Sequence, residues 1–407
     1  MNMEGLPMAD IETFRHETRS WLEANAPESL RDYGTAKLDS YTWGGRNAKF
    51  ATPDHKVWMD VMAEKQWTAP TWPVEYGGGG LDKQEAKVLA EEIGRLGLPA
   101  AVDGFGFTMI GPVLLQFGNE EQKKTHLRRI CRGEIRWCQG YSEPGAGSDL
   151  ASVQTKAVRE GEEFVINGQK VWTSYADHSD WIFALVRSNP NVKNQEGITF
   201  ILIDMATQGV SVSPIPLISG KSPFCETHFE DVRVPVENVI HKIDAGWTVA
   251  KALLGHERTM IARVFGGGGD KKQGRGTLVE MASKYLGEED GKLADPILRH
   301  DVAQSEMDAA KFRYAAQRMN DQARAGHQPG AESSMFKVLG TENNMRRSEL
   351  EVRLAGPQGL GWEGPGFEPE ELDRTRAWLR TRGNSIEGGT TEIQLNILAK
   401  HVLGLPD

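Results

Sequence analysis

Apolar residues along this chain recur first at helical spacing, then at strand spacing, then at helical spacing again. "DIETFRHETRSWLEANAP" predicts a helix capped by Asp10 and stopped by Pro27. In "LDKQEAKVLAEEIGRLGLP" the positions Ala86, Leu89, Ile93 and Leu96 return every three or four residues, and Gly97 and Pro99 close the helix. The intervening "WPVEYGGGGL", residues 72–81, has the composition of a loop. From about residue 136 the helical period stops. "EFVINGQKVW" predicts two strands joined by a hairpin at Asn167-Gly168, and "DWIFALV", "GITFILI" and "VSVSPIPL" predict further strands. From about residue 245 helices return. Asp295-Pro296 opens a long one whose Val302, Met307, Ala310 and Tyr314 are expected to share a buried face. "SSMFKVLGTENNMRRSELEVRLAGP" predicts another, ended by Gly356-Pro357. The expected architecture is α+β in three domains: helical over 1–135, β over 136–242 and helical over 243–407.

Composition narrows the function more than the fold. A chain of 407 residues exceeds one compact core, and 39% hydrophobic with 26% charged residues is ordinary globular usage. The net charge of −10, with no basic runs, argues against a nucleic-acid partner. Cys131, Cys138 and Cys225 are odd in number and form no CxxC pair, which points to a reducing compartment and away from a structural zinc. Acidic residues near the N-terminus replace the apolar core of a signal peptide, and no apolar run approaches the ~18 residues of a membrane span. The expectation is a soluble, cytoplasmic protein.

Four stretches carry candidate chemistry. "WCQGYSEPGAGSDLASVQTKA", residues 137–157, combines Gly145 and Gly147 with Ser142, Ser148 and Asp149, so a ligand could approach its backbone closely. A plain connection into the β region would have the same composition; neither a GxGxxG nor a GxxxxGK[ST] phosphate loop is present. "GQKVWTSYADHSDW" sets Trp172 beside Thr173 and Ser174, an indole to stack on a flat heterocycle with hydroxyls for its edge, or an ordinary strand end. "RTRGNSIEGGTTEIQLNILAKHVLG" holds Glu387 and two glycines ahead of a helix capped by Thr390 or Thr391, whose free N–H groups suit a polar ligand. "LLGHERTMIARVFGGGGD" plants Glu257 on an apolar helix face, paired with Arg258 or Arg263, solvated, or chemically active. Gly266–Gly269 then cost a helix about 3–4 kcal/mol. The ten histidines, His241 and His256 among them, show no metal-ligand spacing, and no GxSxG elbow is present.

Together, "WPVEYGG", "YSEPGAGSD", "INGQKVWTS", "FEDVRVPVENVI", "GHERTMIAR" and "IEGGTTEIQLNI" resemble, in order, the motifs of acyl-CoA dehydrogenases over nearly the whole chain. The likeness is strongest to members acting on pimeloyl-CoA and on bacterial steroid side chains. It implies an N-terminal helical domain, a middle β-barrel-like domain and a C-terminal four-helix bundle. It also implies FAD, oxidation of an acyl-CoA thioester to its trans-2-enoyl form, and an electron-transferring flavoprotein as acceptor. By position, Gln139, Tyr141, Ser142, Gly147 and Ser148 fall in the flavin loop, with Ser148 shared with the substrate. Trp172 covers the ring, Thr173 and Ser174 lie at its edge, and Thr390 and Glu392 are C-terminal FAD contacts. His256, Arg258 and Gly389 fall among substrate contacts. The resemblance offers two places for the carboxylate base. One aligns with Gly388, leaving Glu387 a residue early; the other matches Glu257, which is taken as the base. Gly266–Gly269 are read either as room for a bulky acyl group or as a simple loop.

One departure from the family points to a partner. Homotetrameric relatives lend an Arg-x-x-Phe-Gly segment and a Gln-x-x-Gly-Gly loop to a neighbour's FAD. Here the corresponding regions read "LGEEDGKLADP" and "RLAGPQG", with Glu288, Glu289 and Asp290 in the first and Arg353 in the second. The expectation is a heterotetramer with a distinct homologous subunit. The rival expectations are a non-catalytic subunit that completes the partner's site, and an acyl-CoA oxidase.

Overall fold

The computed structural model describes residues 8–33, 44–255, 277–326 and 330–406. The chain divides into two compact units, one of residues 1–215 with 223–254, the other of Pro216–Ser222 with 255–407.

The first unit begins with helices α1 (Met8–Asn25), α2 (Pro53–Glu64), α3 (Lys83–Arg95), α4 (Gly111–Phe117) and α5 (Glu120–Cys131). α1 starts at Met8, so Asp10 falls inside its first turn, where it complements the helix dipole instead of capping. α3 carries a full capping box, Asp82 with Glu85. Leu22, Leu30, Trp58, Met62, Trp67, Leu89 and Leu98 form the core of these helices. At its margin Glu92 is buried and bound by three guanidinium groups. Arg19 holds it through Nε and Nη2, both at 2.9 Å, Arg95 Nε donates at 2.7 Å and Arg15 Nη1 at 3.3 Å. These hydrogen bonds, Arg19's foremost, hold the carboxyl down at about 2 against the opposing effect of burial.

A seven-stranded sheet follows, built from β1 (Trp137–Gly140), β2 (Lys156–Glu160), β3 (Glu163–Ser174), β4 (Trp181–Arg187), β5 (Ile198–Asp204), β6 (Val210–Pro214) and β7 (Phe224–Pro235). Its order is β1-β4-β2-β3-β7-β6, with β5 on β4. Residues from β1 through to β7 pack into one core around Phe164, Ile182, Ile201 and Phe229, with Val210 and Val212 of β6 against it. β4 and β5 are buried on both faces, which explains their unbroken apolar runs. Helix α6, described over residues 246–255, closes the unit.

The Asn167-Gly168 hairpin is not formed. β3 runs through both residues, and its turn with β2 lies at Gly161-Glu162. The register against β7 breaks between Ile166 and Gly168, where Asn167 alone faces Glu230 and Asp231, so the extra residue of the bulge lies on β7. Gly168 has φ 147°, and a Cβ there would meet Thr155 Cα at 2.8 Å. The Asn167 amide is satisfied across the sheet by Asp231, as donor to its carboxylate at 2.9 Å and acceptor from its N–H at 3.0 Å. The dipeptide thus lies opposite a bulge of β7 rather than in a turn.

In the second unit, α7 (Leu278–Leu286), a short hairpin of β8 (Glu288–Glu289) and β9 (Lys292–Leu293), α8 (Pro296–Arg324), α9 (Ser334–Ala355), α10 (Pro369–Thr381) and α11 (Thr391–His401) follow in order. α9 is the central helix, touching α7, α8, α10 and α11. Leu278, Leu293, Val302, Leu350 and Leu354 form the core between α7, α8 and α9. Asp295 caps α8 by accepting from the Ile297 and Leu298 N–H groups at 2.8 and 2.9 Å, as expected. Its buried face differs from the expectation: Val302 and Phe312 are buried, while Met307 and Tyr314 are exposed. At about 100° per residue, positions 307 and 314 project some 120–140° away from Val302, and Phe312 points to the Phe336 ring of α9 at 5.5 Å. Among the described residues no helix is long and apolar enough to cross a membrane.

Replacing Glu92 by Gln should lower stability at pH 7 by roughly 1–3 kcal/mol, read from urea midpoints. The folded carboxyl titrates below an unfolded glutamate at about 4.3, so its contribution is complete above that pH and is lost as pH falls toward about 2. The gap between wild type and variant should therefore hold from pH 7 to 5 and narrow below about pH 4.

Candidate functional site

β1 delivers the chain into the glycine-rich stretch. Gln139 is half-buried on the strand, opposite Phe183 of β4. Tyr141 is buried, its ring edge-on to Phe183 and Phe200. Beyond it the loop turns tightly, with Glu143 and Ala146 exchanging two backbone hydrogen bonds of 3.0 Å. Pro144, Gly145, Gly147 and Ser148 stand exposed on this turn, and a Cβ added at either glycine would meet nothing within 4 Å.

What fixes this loop is a buried ion pair. Lys170 of β3 is fully buried, and its ammonium donates to Glu143 Oε1 at 2.7 Å, Leu185 O at 2.6 Å and Tyr141 O at 3.2 Å. Glu143 accepts in addition from the N–H groups of Gln154 at 2.6 Å and Thr155 at 2.9 Å, so one carboxylate ties both ends of the loop. Burial pushes the Lys170 ammonium down to about 8, against the pull of Glu143. Burial alone would raise the Glu143 carboxyl, but Lys170 and the backbone donors hold it below its usual range. Ser142 is joined to the same strand, its carbonyl accepting from Val171 N at 2.9 Å.

Immediately after Lys170 the strand breaks register, between Lys170 and Thr173. Trp172 sits in this break with φ 60°, a left-handed conformation rare for a bulky residue. The bulge turns its indole outward, 50% exposed, with Phe224 edge-on at 5.9 Å. Thr173 faces inward, fully buried, and its hydroxyl has no hydrogen-bond partner among the described residues. Ser174, paired with Phe224, is half-buried. The fold thus holds Ser142, in the loop after β1, against the strand that carries Trp172.

The remaining candidates lie on the second unit, where Gly388 and Gly389 adopt φ 62° and 85° ahead of α11. Thr390 is the N-cap and accepts from Ile393 N at 3.2 Å; Glu392 is exposed in the first turn. Glu387 is not free: Arg380 Nη2 donates to its Oε2 at 2.7 Å and Asn384 Nδ2 donates to its Oε1. His256, Glu257, Arg258 and Gly266–Gly269 lie outside the described residues. The three cysteines are buried thiols, with Cys131 pushed up to about 12 by burial. Sequence reasoning missed Glu143 and Lys170 as a pair. Both stand inside quoted motifs, yet 27 residues apart, with no local signal to join them.

Comparison with known proteins places the chain. Family models described as the N-terminal, middle and C-terminal domains of acyl-CoA dehydrogenase match residues 12–134, 138–232 and 244–403. The class is that of oxidoreductases acting on acyl-CoA thioesters. The chain belongs to the acyl-CoA dehydrogenase family. It is 35% identical over 403 residues to acyl-CoA dehydrogenase IpdE1 of Mycobacterium tuberculosis, covering 98% of this chain and 99% of that one. Among solved structures it resembles the Tcur3481-Tcur3483 steroid acyl-CoA dehydrogenase at TM-score 0.73 and 28% identity, each chain covered fully at 100%. The ChsE4-ChsE5 complex from Mycobacterium tuberculosis matches at TM-score 0.70 and 27% identity, also over 100% of both chains.

Lys170→Met should cost about 3–5 kcal/mol, because it strands a buried carboxylate. Adding Glu143→Gln, which removes that charge and keeps an acceptor for the loop N–H groups, should recover at least half of the loss in urea denaturation.

Proposed function

We propose that this chain is an FAD-dependent acyl-CoA dehydrogenase that converts a bulky acyl-CoA, of the steroid side-chain or dicarboxylic type, to its trans-2-enoyl-CoA. The observation that carries this is Trp172, turned outward on a strained bulge beside a glycine turn that a buried ion pair holds in place. The residues suit an isoalloxazine. A half-exposed indole offers a stacking face, Ser142 and Ser174 offer half-buried hydroxyls, and space is open beyond Gly145 and Gly147. Gln139 and Tyr141 support the loop from β1, Thr173 anchors the strand end, and Gly147 and Ser148 line the approach. On the second unit Thr390 and Glu392, with the N–H groups of the α11 start, would hold polar parts of an FAD.

FAD bound there supplies the acceptor for the hydride that leaves the substrate's β carbon. Glu257 takes the proton from the α carbon, and the adjacent His256 and Arg258, with Gly389 and Ser148, bind the CoA ester. Abstraction from so weak a carbon acid favours a desolvated carboxylate of raised pKa. Glu387 is unsuited to that work, since both its oxygens already accept hydrogen bonds.

The same reading extends to assembly. The hairpin that replaces the family's Arg-x-x-Phe-Gly segment carries exposed Glu288, Glu289 and Asp290, which would repel a pyrophosphate. Arg353 is engaged by Asp301 at 2.8 Å. The steroid enzyme and the ChsE4-ChsE5 complex are each named as pairs of chains. We therefore read this chain as one of the two subunit types of an α2β2 heterotetramer, cytoplasmic, passing electrons to an electron-transferring flavoprotein.

In the co-expressed complex, Glu257→Gln should lower kcat/KM for a CoA ester by at least about 10³-fold, and Glu387→Gln by less than about tenfold. The opposite ranking in steady-state assays would move the base to Glu387, and full activity of Glu257→Gln would make the chain a non-catalytic partner. Flavin absorbance per chain supplies a separate check. The chain expressed alone should be largely colourless and the complex yellow; stoichiometric flavin in the isolated chain would remove the heteromer.

A further inference from the structure

The central helix of the second unit buries side chains that a core has no use for. Lys337 on α9 is 3% exposed, and its ammonium donates to the Ser385 carbonyl at 3.2 Å. That carbonyl also accepts from Thr391 N at 2.8 Å and Thr391 Oγ1 at 3.3 Å, so three donors converge on one oxygen at the foot of the loop before α11. Asn344 lies seven residues on, two helical turns along the same face of α9. Its Nδ2 donates to Asn384 Oδ1 at 2.8 Å. Asn384, 6% exposed, passes the contact on to Glu387, and Arg380 Nη2 clamps the other Glu387 oxygen at 2.7 Å. From the far side Gln394 Nε2 donates to Gly388 O at 3.0 Å.

Burying an ammonium is costly unless hydrogen bonds and charge repay it. Burial pushes Lys337 below its ordinary range, against the pull of Glu387, Glu392 and Glu342. An apolar residue would fill the position more cheaply. What the cation adds is direction: it selects one place for the Ser385 carbonyl, and through Thr391 one start for α11. Without such anchors, two successive left-handed glycines leave the chain many alternatives.

We propose that Lys337 and Asn344 are positioning residues that set the Ser385–Thr391 loop in the single shape in which Gly389, Thr390 and Glu392 meet their ligand, and that Glu387 is the latch tying this loop to Arg380. This rests on the cofactor and substrate roles given to that loop above. Neither residue touches the ligand in this assignment; both act through the loop's backbone.

The test uses the complex co-expressed with its partner, stripped of flavin and titrated with FAD, followed by flavin fluorescence and visible circular dichroism. Lys337→Met should raise the FAD dissociation constant by about tenfold or more, and Asn344→Ala by about three- to tenfold, with an altered visible dichroism band. Far-UV melting reports whether the helices themselves survive, and unchanged FAD affinity and dichroism in both variants would overturn the proposal. Should Lys337→Met fail to fold, Asn344→Ala carries the same measurement. Hydrogen exchange at residues 386–391 decides the point without the cofactor. If the wild-type complex takes up no FAD, the cofactor reading falls, yet faster exchange in the variants would uphold the positioning role and unchanged exchange would refute it.

Discussion

The contact between the Lys170 ammonium and the Glu143 carboxylate is the constraint on which the first unit's candidate site depends. It lies wholly inside the protein, where two charges survive only if nearly every donor and acceptor is used. Lys170 spends its donors on one carboxylate oxygen and two carbonyls, while Glu143 accepts from the backbone of Gln154 and Thr155. An apolar pair of similar size could fill the space. It could not dictate where the loop's main chain must run. The arrangement therefore exchanges some stability for a fixed loop, and the exposed turn of Pro144–Ser148 is the part so fixed.

The strand next to that anchor shows a second local sacrifice. A tryptophan with positive φ is an uncomfortable residue, and here the strain lies in the register break two residues past Lys170. The bulge points an indole outward that regular pairing would have aimed elsewhere. Anchor and strain belong together: the buried pair stops the strand from relaxing by sliding, and the break uses that rigidity to present a flat apolar surface. The second unit reaches a comparable end by other means, with Lys337 and Asn344 of the central helix and Gln394 of α11 bonding in and beside a two-glycine loop. In each unit, taken by itself, the candidate segment is main chain held from behind by buried polar groups.

Membership of the acyl-CoA dehydrogenase family gives these devices a setting. Flavin and acyl-CoA chemistry asks for a stacking surface, polar edges and a carboxylate that is not otherwise engaged. Both oxygens of Glu387 accept hydrogen bonds, one from Arg380 and one from Asn384. Motif alignment alone could only note that Glu387 stands one residue from the expected place.

Periodicity along the chain was enough to determine the helical–β–helical order, the cap of α8 at Asp295 and the end of α9 at Gly356, because these depend on neighbours within one or two turns. The same local reasoning erred at Asn167-Gly168, which runs on within β3, paired with β2 on one side and facing a bulge of β7 on the other. It erred again on α8, where Phe312, not Met307 or Tyr314, met the neighbouring helix. Ser142, Trp172 and Thr390 could be singled out from motifs, yet what holds them could not. Lys170 and Glu143 are 27 positions apart, and Lys337 and Ser385 are 48 apart. A buried charge finds its partner only when distant elements have packed and water has left, so those pairings belong to the tertiary structure alone.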